Sequence, residues 1–187
     1  MAERAGDLLW IVFLVSWYAA MLWTARAVAR TSVRSRLLDF LIYALGFGLL
    51  FTPATAWPAL SRPSPPVAAV LLAIEVAAFA FAWWARLHIG KLWSGMITLR
   101  EGHHVVDTGP YRLVRHPIYT GFIAGAWALA LIAPSPAKLI GAAVLTFQMS
   151  WKARREEAFL RQELGREAYD AYSARTPMLV PFARFGR

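Results

Sequence analysis

Thr108-Gly-Pro-Tyr-Arg-Leu-Val-Arg-His-Pro-Ile-Tyr-Thr-Gly121 stands directly before an apolar run that approaches the thickness of a bilayer. These fourteen residues include two arginines, one histidine, two tyrosines, two prolines and two glycines, in a chain that is 58% hydrophobic. A stretch so rich in polar and turn-forming residues is poorly suited to packing alone. At a membrane boundary it can bind a charged ligand while the bilayer delivers an apolar one. The stretch therefore indicates an enzyme that acts on a lipid-like substrate.

Five apolar segments predict the fold class, an all-α integral membrane protein with about five transmembrane helices. A helix needs about 20 apolar residues to cross a bilayer, and three of the segments reach that length while the last two are shorter. With 187 residues the chain is expected to form a single domain, 1–187. The predicted spans are residues 8–28, 37–57, 67–85, 117–133 and 138–151.

The 20 basic residues, which help to give a net charge of +9, are distributed unevenly. Only Arg4, Arg62 and Lys138 fall outside the segments that follow the first, third and fifth spans. Because positively charged loops stay in the cytoplasm, the N-terminus is expected outside, and the loop 86–116 and the tail 152–187 inside. Topology and anionic headgroups thus explain the basic excess, and nucleic acid is not expected as a partner. Function is expected at the cytoplasmic face of the inner or cytoplasmic membrane.

The two inner segments contain further structural signals. Residues 152–173 predict a C-terminal amphipathic helix with a narrow apolar stripe, and Gly165 weakens it midway. Pro117 suits the first turn of the fourth helix, where its missing N–H is no loss. Cysteine is absent, which excludes disulfides and thiolate ligands. His103 and His104 are adjacent but have no third ligand nearby, so no metal site is predicted.

Two motifs, read together, resemble the isoprenylcysteine carboxyl methyltransferase family, which has phospholipid N-methyltransferase relatives. The first is Gly109-Pro-Tyr-Arg-(x)2-Arg-His-Pro-(x)-Tyr-(x)-Gly121, and the second is Arg155-Glu-Glu-(x)2-Leu-(x)4-Gly-(x)3-Tyr-(x)2-Tyr172. The similarity covers about residues 90–181. It implies S-adenosylmethionine as methyl donor, bound at the cytoplasmic ends of the last two spans, and an apolar acceptor that enters from the lipid. Carboxyl O-methylation is the closest family activity.

The resemblance also implies site residues. The substrate-binding basic residue of the eukaryotic members falls on Lys152, where those members have Arg. Because Lys offers a point charge and Arg a bidentate fork, the identity of the acceptor stays open. Lys152, Arg115 and Glu156 are the candidate catalytic residues. The family's cofactor positions fall on His103, Val105, Val106, Tyr111, His116, Pro117, Tyr119 and Glu156.

The chemistry of the donor agrees with these residue types. Its carboxylate needs cationic or N–H partners, which Arg115, His116 and the start of the fourth helix offer. Its ammonium and ribose need a carboxylate, for which Glu156 is the candidate. Glu157 remains an alternative, because periodicity alone does not choose between the two glutamates. The two tyrosines of the opening stretch offer aromatic faces to adenine or to the sulfonium.

Three polar residues within the predicted spans need partners. Glu75 lies at the centre of the third span, where an ionised carboxylate is costly. It is therefore expected to be neutral and hydrogen-bonded to a neighbouring helix. Asp39 is expected near Arg36 and water, and Gln148 is expected to line the cofactor cavity.

Other functions remain open alternatives to carboxyl O-methylation. N-methylation of a phospholipid or amine headgroup is the nearest variant. An NADPH-dependent membrane reductase of the sterol type shares the Arg-His-Pro-x-Tyr piece but has about twice as many spans. A non-enzymatic lipid-binding protein would keep only the fold. Arg115 also fits a simpler role, in which its side chain reaches towards lipid headgroups. The sequence does not determine the oligomeric state.

Overall fold

The protein is known from a computed structural model, which describes residues 1–22, 27–30, 33–53, 56–57, 60–93, 98–100, 105–163 and 165–182. Side chains are described throughout these ranges except at 27–30, 33–34 and 98–100. Apart from turns and connecting segments, the described residues form helices and one short pair of strands. The helices are α1 (Ala2–Ala19), α2 (Val33–Leu50), α3 (Pro65–Ile89), α4 (Pro117–Ile132), α5 (Pro136–Glu163) and α6 (Arg166–Arg175), and the strands are β1 (Ala27–Arg30) and β2 (Thr98–Arg100).

Two of the described helices are long and apolar enough to cross a membrane. They are α1 with the turn that follows it, Ala2–Leu22, and α3 with its following turn, Pro65–Leu92. Helix α4 is apolar but shorter, at 16 residues. The prediction of a helical fold is confirmed, whereas the count of five spans stays a prediction.

The boundaries of the helices differ from those predicted. Helix α2 lies at Val33–Leu50, where the predicted second span was 37–57, and the first and fifth spans differ as follows. The first predicted span, 8–28, was wrong at its end, because α1 ends at Ala19 and β1 begins at Ala27. Helix α5 runs unbroken to Glu163, because Lys152 and the residues after it favour a helix and include no breaker. The first half of the predicted tail helix therefore belongs to α5. The break comes at Gly165, whose φ of 95° suits glycine.

Helices α1 and α3 run in the same direction, so that their C-terminal ends lie on one side of the bundle. Strand β1 follows α1 and pairs antiparallel with β2, which follows α3. The guanidinium of Arg86, at the end of α3, donates to the carbonyl oxygen of Ala20 at 2.8 Å. The basic segments after these two helices are thus held together, in agreement with the charge pattern of the sequence.

Aromatic rings of α1 fill the centre of the bundle. Trp10 is fully buried and packs edge-on against Phe47 of α2, Phe79 of α3 and Phe122 of α4. Phe13 stacks on Phe79 with ring centroids 4.2 Å apart. Around this core, α3 packs along α4 and α2 packs along α5. These pairings bring the polar ends of α2, α4 and α5 together.

Helices α3 and α4 approach each other closely because α4 has a glycine at the contact. A Cβ atom at Gly121 would lie 2.5 Å from the carbonyl oxygen of Ala78, closer than any side chain allows. A Cβ at Gly125, one turn later, would meet the ring of Phe79 at 2.6 Å. The small-residue spacing of α4 therefore serves packing within the chain.

Glu75 does not make the hydrogen bond expected from the sequence. Its side chain is fully buried, and neither carboxyl oxygen has a hydrogen-bond partner among the described residues. The reason is that helix α1 presents a glycine, Gly6, to this carboxyl. A Cβ atom at Gly6 would lie 3.0 Å from the carboxyl oxygen. Glycine makes room for the carboxyl but has no side chain that could donate to it.

Candidate functional site

The first part of the site is the turn that leads into α4. Gly109–Arg112 form one turn of 3₁₀ helix, and α4 begins at Pro117 as predicted. His116 precedes it with φ −124° and ψ 63°. This non-helical backbone is expected before proline, whose ring disfavours a helical residue in front of it. The turn places the side chains of Arg115, His116 and Tyr119 against α5.

The second part of the site is the C-terminal half of α5. Lys152 and Glu156 are one turn apart on this helix and face α4. The Tyr119 hydroxyl donates to a carboxylate oxygen of Glu156 at 2.8 Å. The Nδ1 atom of His116 lies 3.9 Å from the same oxygen. The rings of His116 and Tyr119 are parallel, with centroids 5.4 Å apart. The two sequence motifs thus meet at one carboxylate.

Glu157 contacts the same turn through different side chains. Arg115 donates to its two carboxylate oxygens from Nε at 2.7 Å and from Nη2 at 3.1 Å. The Nε2 atom of His116 lies 3.0 Å from Glu157 Oε1, and it donates to this oxygen in the tautomer that carries a hydrogen on Nε2. The two glutamates therefore have different hydrogen-bond partners. Glu156 accepts from Tyr119, whereas Glu157 contacts Arg115 and His116.

Arg115 also joins the turn to the C-terminal segment, meaning the end of α6 and the residues that follow it. Its Nη1 atom donates to the carbonyl oxygens of Ser173 and Thr176. Residues 177–179, which we call the strap, continue this contact along the start of α4. The backbone N–H of Arg115 donates to Pro177 O at 2.8 Å, and that of His116 donates to Met178 O at 3.1 Å. These two backbone donors, which the sequence suggested for an anionic ligand, are occupied by the strap.

Lys152 is buried between two aromatic rings. Its side chain is 6% exposed, and Nζ lies 5.6 Å from the ring centroid of Tyr43 and 5.8 Å from that of Tyr119. Burial lowers the pKa of Lys152, while the carboxylates of Glu156 and Asp39 act in the opposite direction. The ammonium is thus placed where two aromatic faces and two carboxylates support its charge.

Tyr111 lies close to these groups, in the turn before α4. It is buried, and its backbone carbonyl accepts a hydrogen bond from the hydroxyl of Tyr172 at 2.7 Å. Burial raises the pKa of Tyr111 well above its ordinary value, so the phenol is neutral at physiological pH. Helix α6 is thereby attached to the turn before α4.

The structure places the remaining predicted site residues unevenly. Val106 is half-buried and packs against the hydrophobic core, and Val105 is half-buried beside it. His103 lies outside the described residues. The structure thus brings together Arg115, Tyr111, His116, Pro117, Tyr119, Lys152 and Glu156.

Helix α2 contributes to the site, which the sequence analysis missed. Asp39 accepts hydrogen bonds from Gln148 Nε2 at 2.7 Å and Arg155 Nη1 at 2.8 Å. Gln148 therefore faces α2, and Arg155 forms an ion pair with Asp39. A signal was present in the sequence. A carboxylate within an apolar helix needs a partner on a neighbouring helix, and residues 148 and 155 are spaced by two helical turns on α5.

The ion pairs of Glu157 predict that acid destabilises the protein. Burial favours the neutral form of this carboxyl, but hydrogen bonds from His116 and Arg115 outweigh it and hold the pKa of Glu157 below its ordinary value. Because the folded pKa is the lower one, the stabilisation is complete above the unfolded value and is lost as the pH falls through the folded value. We expect Glu157→Gln to lower the unfolding free energy by about 1–3 kcal/mol at pH 7.

The measurement is thermal unfolding in detergent between pH 7 and pH 3 for the wild type and Glu157→Gln. The gap between the two melting temperatures should close towards low pH. A gap of constant size across this range would show that the charge of Glu157 is not what stabilises the turn.

Fold and site together define a helical, strongly apolar protein whose polar site joins the start of α4 to the C-terminal half of α5. Residues 70–162, about half of the chain, match the isoprenylcysteine carboxyl methyltransferase family. The chain belongs to this family. The matched segment contains most of α3, all of α4 and nearly all of α5, while α1 and α2 lie outside it.

Individual relatives agree with the family assignment. Protein-S-isoprenylcysteine O-methyltransferase B of Arabidopsis thaliana is 32% identical over 50% of this chain and 48% of its own length. The probable protein-S-isoprenylcysteine O-methyltransferase of Oryza sativa subsp. indica is 30% identical over 59% of this chain and 53% of its own. Methanethiol S-methyltransferase 1 of Bradyrhizobium diazoefficiens is 31% identical, over 60% and 44%. The chain spans about half the length of the curated relatives it matches.

Proposed function

We propose that this protein is an S-adenosylmethionine-dependent methyltransferase that acts at a membrane on an acceptor with an apolar tail. The observation that carries the proposal is the meeting of the two family motifs at Glu156, where Tyr119 donates to the carboxylate and His116 lies alongside. Names of the relatives support methyl transfer to a carboxyl oxygen or to sulfur. Carboxyl O-methylation of an isoprenylcysteine-like acceptor is the reaction that we propose.

The residues present fit the donor. Glu156 accepts the Tyr119 hydroxyl on one oxygen, and its side chain remains 26% exposed, so a ligand can reach it. A carboxylate in this state suits the ammonium and ribose hydroxyls of the donor's nucleoside and amino-acid parts. The parallel rings of His116 and Tyr119 offer faces for a sulfonium or for adenine. His103, Val105 and Val106 are proposed as further donor contacts on the resemblance alone.

The donor, when bound, supplies an electrophilic methyl group. The role of the chain is to hold an acceptor against that group in a dry environment. The ammonium of Lys152, one turn from Glu156, is placed to attract a carboxylate acceptor. Such an acceptor is already ionised at neutral pH, so no residue needs to remove a proton from it. Arg115 directs all its recorded hydrogen bonds to Glu157 and the C-terminal segment, and we therefore propose it as a positioning residue.

The outer surface of the bundle supports a membrane location. Large apolar side chains are exposed on each of the helices α1 to α5, whereas the polar groups of the site face inwards. Exposed apolar surface on this scale marks contact with lipid or with other proteins. We propose five spans with the N-terminus outside and the site inside. Exposed examples, from α1 to α5, are Ile11, Val15, Leu41, Leu45, Val70, Ile74, Leu131, Ile140 and Phe147.

This topology predicts opposite labelling of two exposed positions. Ser64 precedes α3 on the proposed outer side, and Glu167 lies in α6 on the inner side. Because the chain has no cysteine, Ser64→Cys and Glu167→Cys each introduce a single thiol. In intact cells a membrane-impermeant maleimide should label Ser64→Cys, and should label Glu167→Cys only after the membrane is opened. Labelling of both variants in intact cells, or of Glu167→Cys alone, would contradict the topology.

The function itself is tested with purified protein in nanodiscs. Calorimetry should show saturable binding of S-adenosylmethionine, and isotopically labelled donor should transfer its methyl group to S-farnesylated N-acetylcysteine. NADPH is the control ligand, since it distinguishes the reductase alternative. Saturable binding of NADPH with no heat from the methyl donor would refute the proposal.

A further inference from the structure

Helix α2 lies outside the segment that matches the family, yet it forms part of the wall of the site. It packs along α5, and its single tyrosine, Tyr43, faces the ammonium of Lys152. Lys152 falls within the matched segment, while Tyr43 does not. The two side chains therefore come from different parts of the chain, one inside the matched segment and one outside it.

The position of Tyr43 is fixed by polar contacts one turn away. Asp39 precedes it by four residues and so lies on the same face of α2. Gln148 and Arg155 of α5 both donate to Asp39, at 2.7 and 2.8 Å. These hydrogen bonds fix the register of α2 against α5. Tyr43 is thereby held at a set distance from Lys152.

The ammonium of Lys152 lies between a ring of α2 and a ring of α4. Its Nζ atom is 5.6 Å from the Tyr43 centroid and 5.8 Å from the Tyr119 centroid, within the range of cation–π attraction. An aromatic face supports a positive charge without neutralising it, unlike a carboxylate. The two rings restrict the position of this ammonium, on which the carboxylates of Glu156 and Asp39 also act.

We propose that Tyr43 is a specificity-determining residue, which positions the Lys152 ammonium so that the site prefers acceptors with a carboxylate over uncharged ones. The inference rests on the proposed methyltransferase function and narrows its acceptor to amphiphiles with an anionic head. Tyr43 acts through Lys152 and is a positioning residue. Its ring, rather than its hydroxyl, carries the effect.

The test compares two ligands that differ in one charge, S-farnesylated N-acetylcysteine and its carboxamide. The carboxylate is assayed as substrate and the carboxamide as a competitive inhibitor. Tyr43→Leu should raise KM for the carboxylate by about threefold to thirtyfold, as expected for the loss of a buried cation–π contact. It should leave the inhibition constant of the carboxamide and the Kd of the methyl donor within twofold. Tyr43→Phe keeps the ring and should behave as the wild type.

A matched control on the same helix is Phe40→Leu, which removes an exposed ring away from the site. It should change neither ligand's affinity. If Tyr43→Leu does not fold, Tyr43→Met provides the same loss of the ring with a flexible apolar side chain. Equal weakening of both ligands, or no change in either, would overturn the assignment of Tyr43. Failure of the wild type to bind the methyl donor would instead overturn the proposed function, and this inference with it.

Discussion

Glu156→Gln is expected to weaken binding of S-adenosylmethionine by about tenfold to a hundredfold, since a hydrogen bond to a charged group contributes about 1.5–3 kcal/mol. The substitution keeps the shape of the side chain and an oxygen that can accept from Tyr119. The contact that joins α4 to α5 at 2.8 Å can therefore persist. What is removed is the negative charge that the ammonium and ribose of the donor would need. Donor affinity, measured by calorimetry in nanodiscs, should fall while thermal stability stays close to that of the wild type.

The same helix offers a control for this substitution. Glu163 lies at the exposed end of α5, away from the turn before α4. Glu163→Gln changes the net charge of the protein by the same amount and should leave donor affinity unchanged. Equal affinities for the wild type and Glu156→Gln would remove Glu156 from the donor site. If Glu157→Gln weakened donor binding more than Glu156→Gln, Glu157 would be the carboxylate that binds the donor.

Arg115→Met is expected to lower the unfolding free energy by about 2–3 kcal/mol and to release the strap. Arg115 holds both oxygens of Glu157 and two carbonyl oxygens at the end of α6. The side chains of the pair are only 13% and 18% exposed. Loss of the arginine would leave a mostly buried carboxylate with fewer donors, which costs more than the loss of an exposed pair. Thermal unfolding gives the stability, and hydrogen exchange at the backbone N–H of Arg115 and His116 reports on the strap.

An exposed ion pair on the same part of the molecule serves as the control. Arg161 and Asp170 join α5 to α6, and their side chains are 51% and 46% exposed. Solvent screens such a pair, so Arg161→Met should destabilise the protein much less than Arg115→Met. Comparable losses for the two variants would mean that Arg115 has no special structural role. Loss of activity in Arg115→Met with unchanged stability and exchange would favour the catalytic assignment made from the sequence.

Local patterns in the sequence were sufficient for the elements of the site. Pro117 fixes the start of α4 because its ring is compatible only with the first turn of a helix. Gly165 marks the end of α5 because its backbone conformation is costly for other residues. The paired motifs indicated the family, which residues 70–162 confirm. These features depend on residues close together in the chain, and sequence reasoning reached them for that reason.

Contacts between distant helices were not accessible in the same way. Periodicity placed Glu156 and Glu157 side by side on α5, but their partners depend on the angle at which α4 crosses that helix. The partners of Asp39 on α5 were missed for the same reason, since Gln148 and Arg155 lie 109 and 116 residues away in the chain. The expected hydrogen bond of Glu75 is absent among the described residues because α1 presents a glycine to it.

The sequence by itself determined the apolar helical class, the start of α4, the break at Gly165 and the residue types of the site, because hydrophobicity, backbone freedom and charge are properties of single residues and short segments. Only the tertiary structure decided which groups share a contact: Tyr119 with Glu156, Arg115 with Glu157 and the strap, and Tyr43 with Lys152. Those pairings follow from the packing of α2 and α4 against α5, where burial of large apolar surfaces sets the relative positions of helices. The polar side chains then pair with the groups that this packing places within interaction distance.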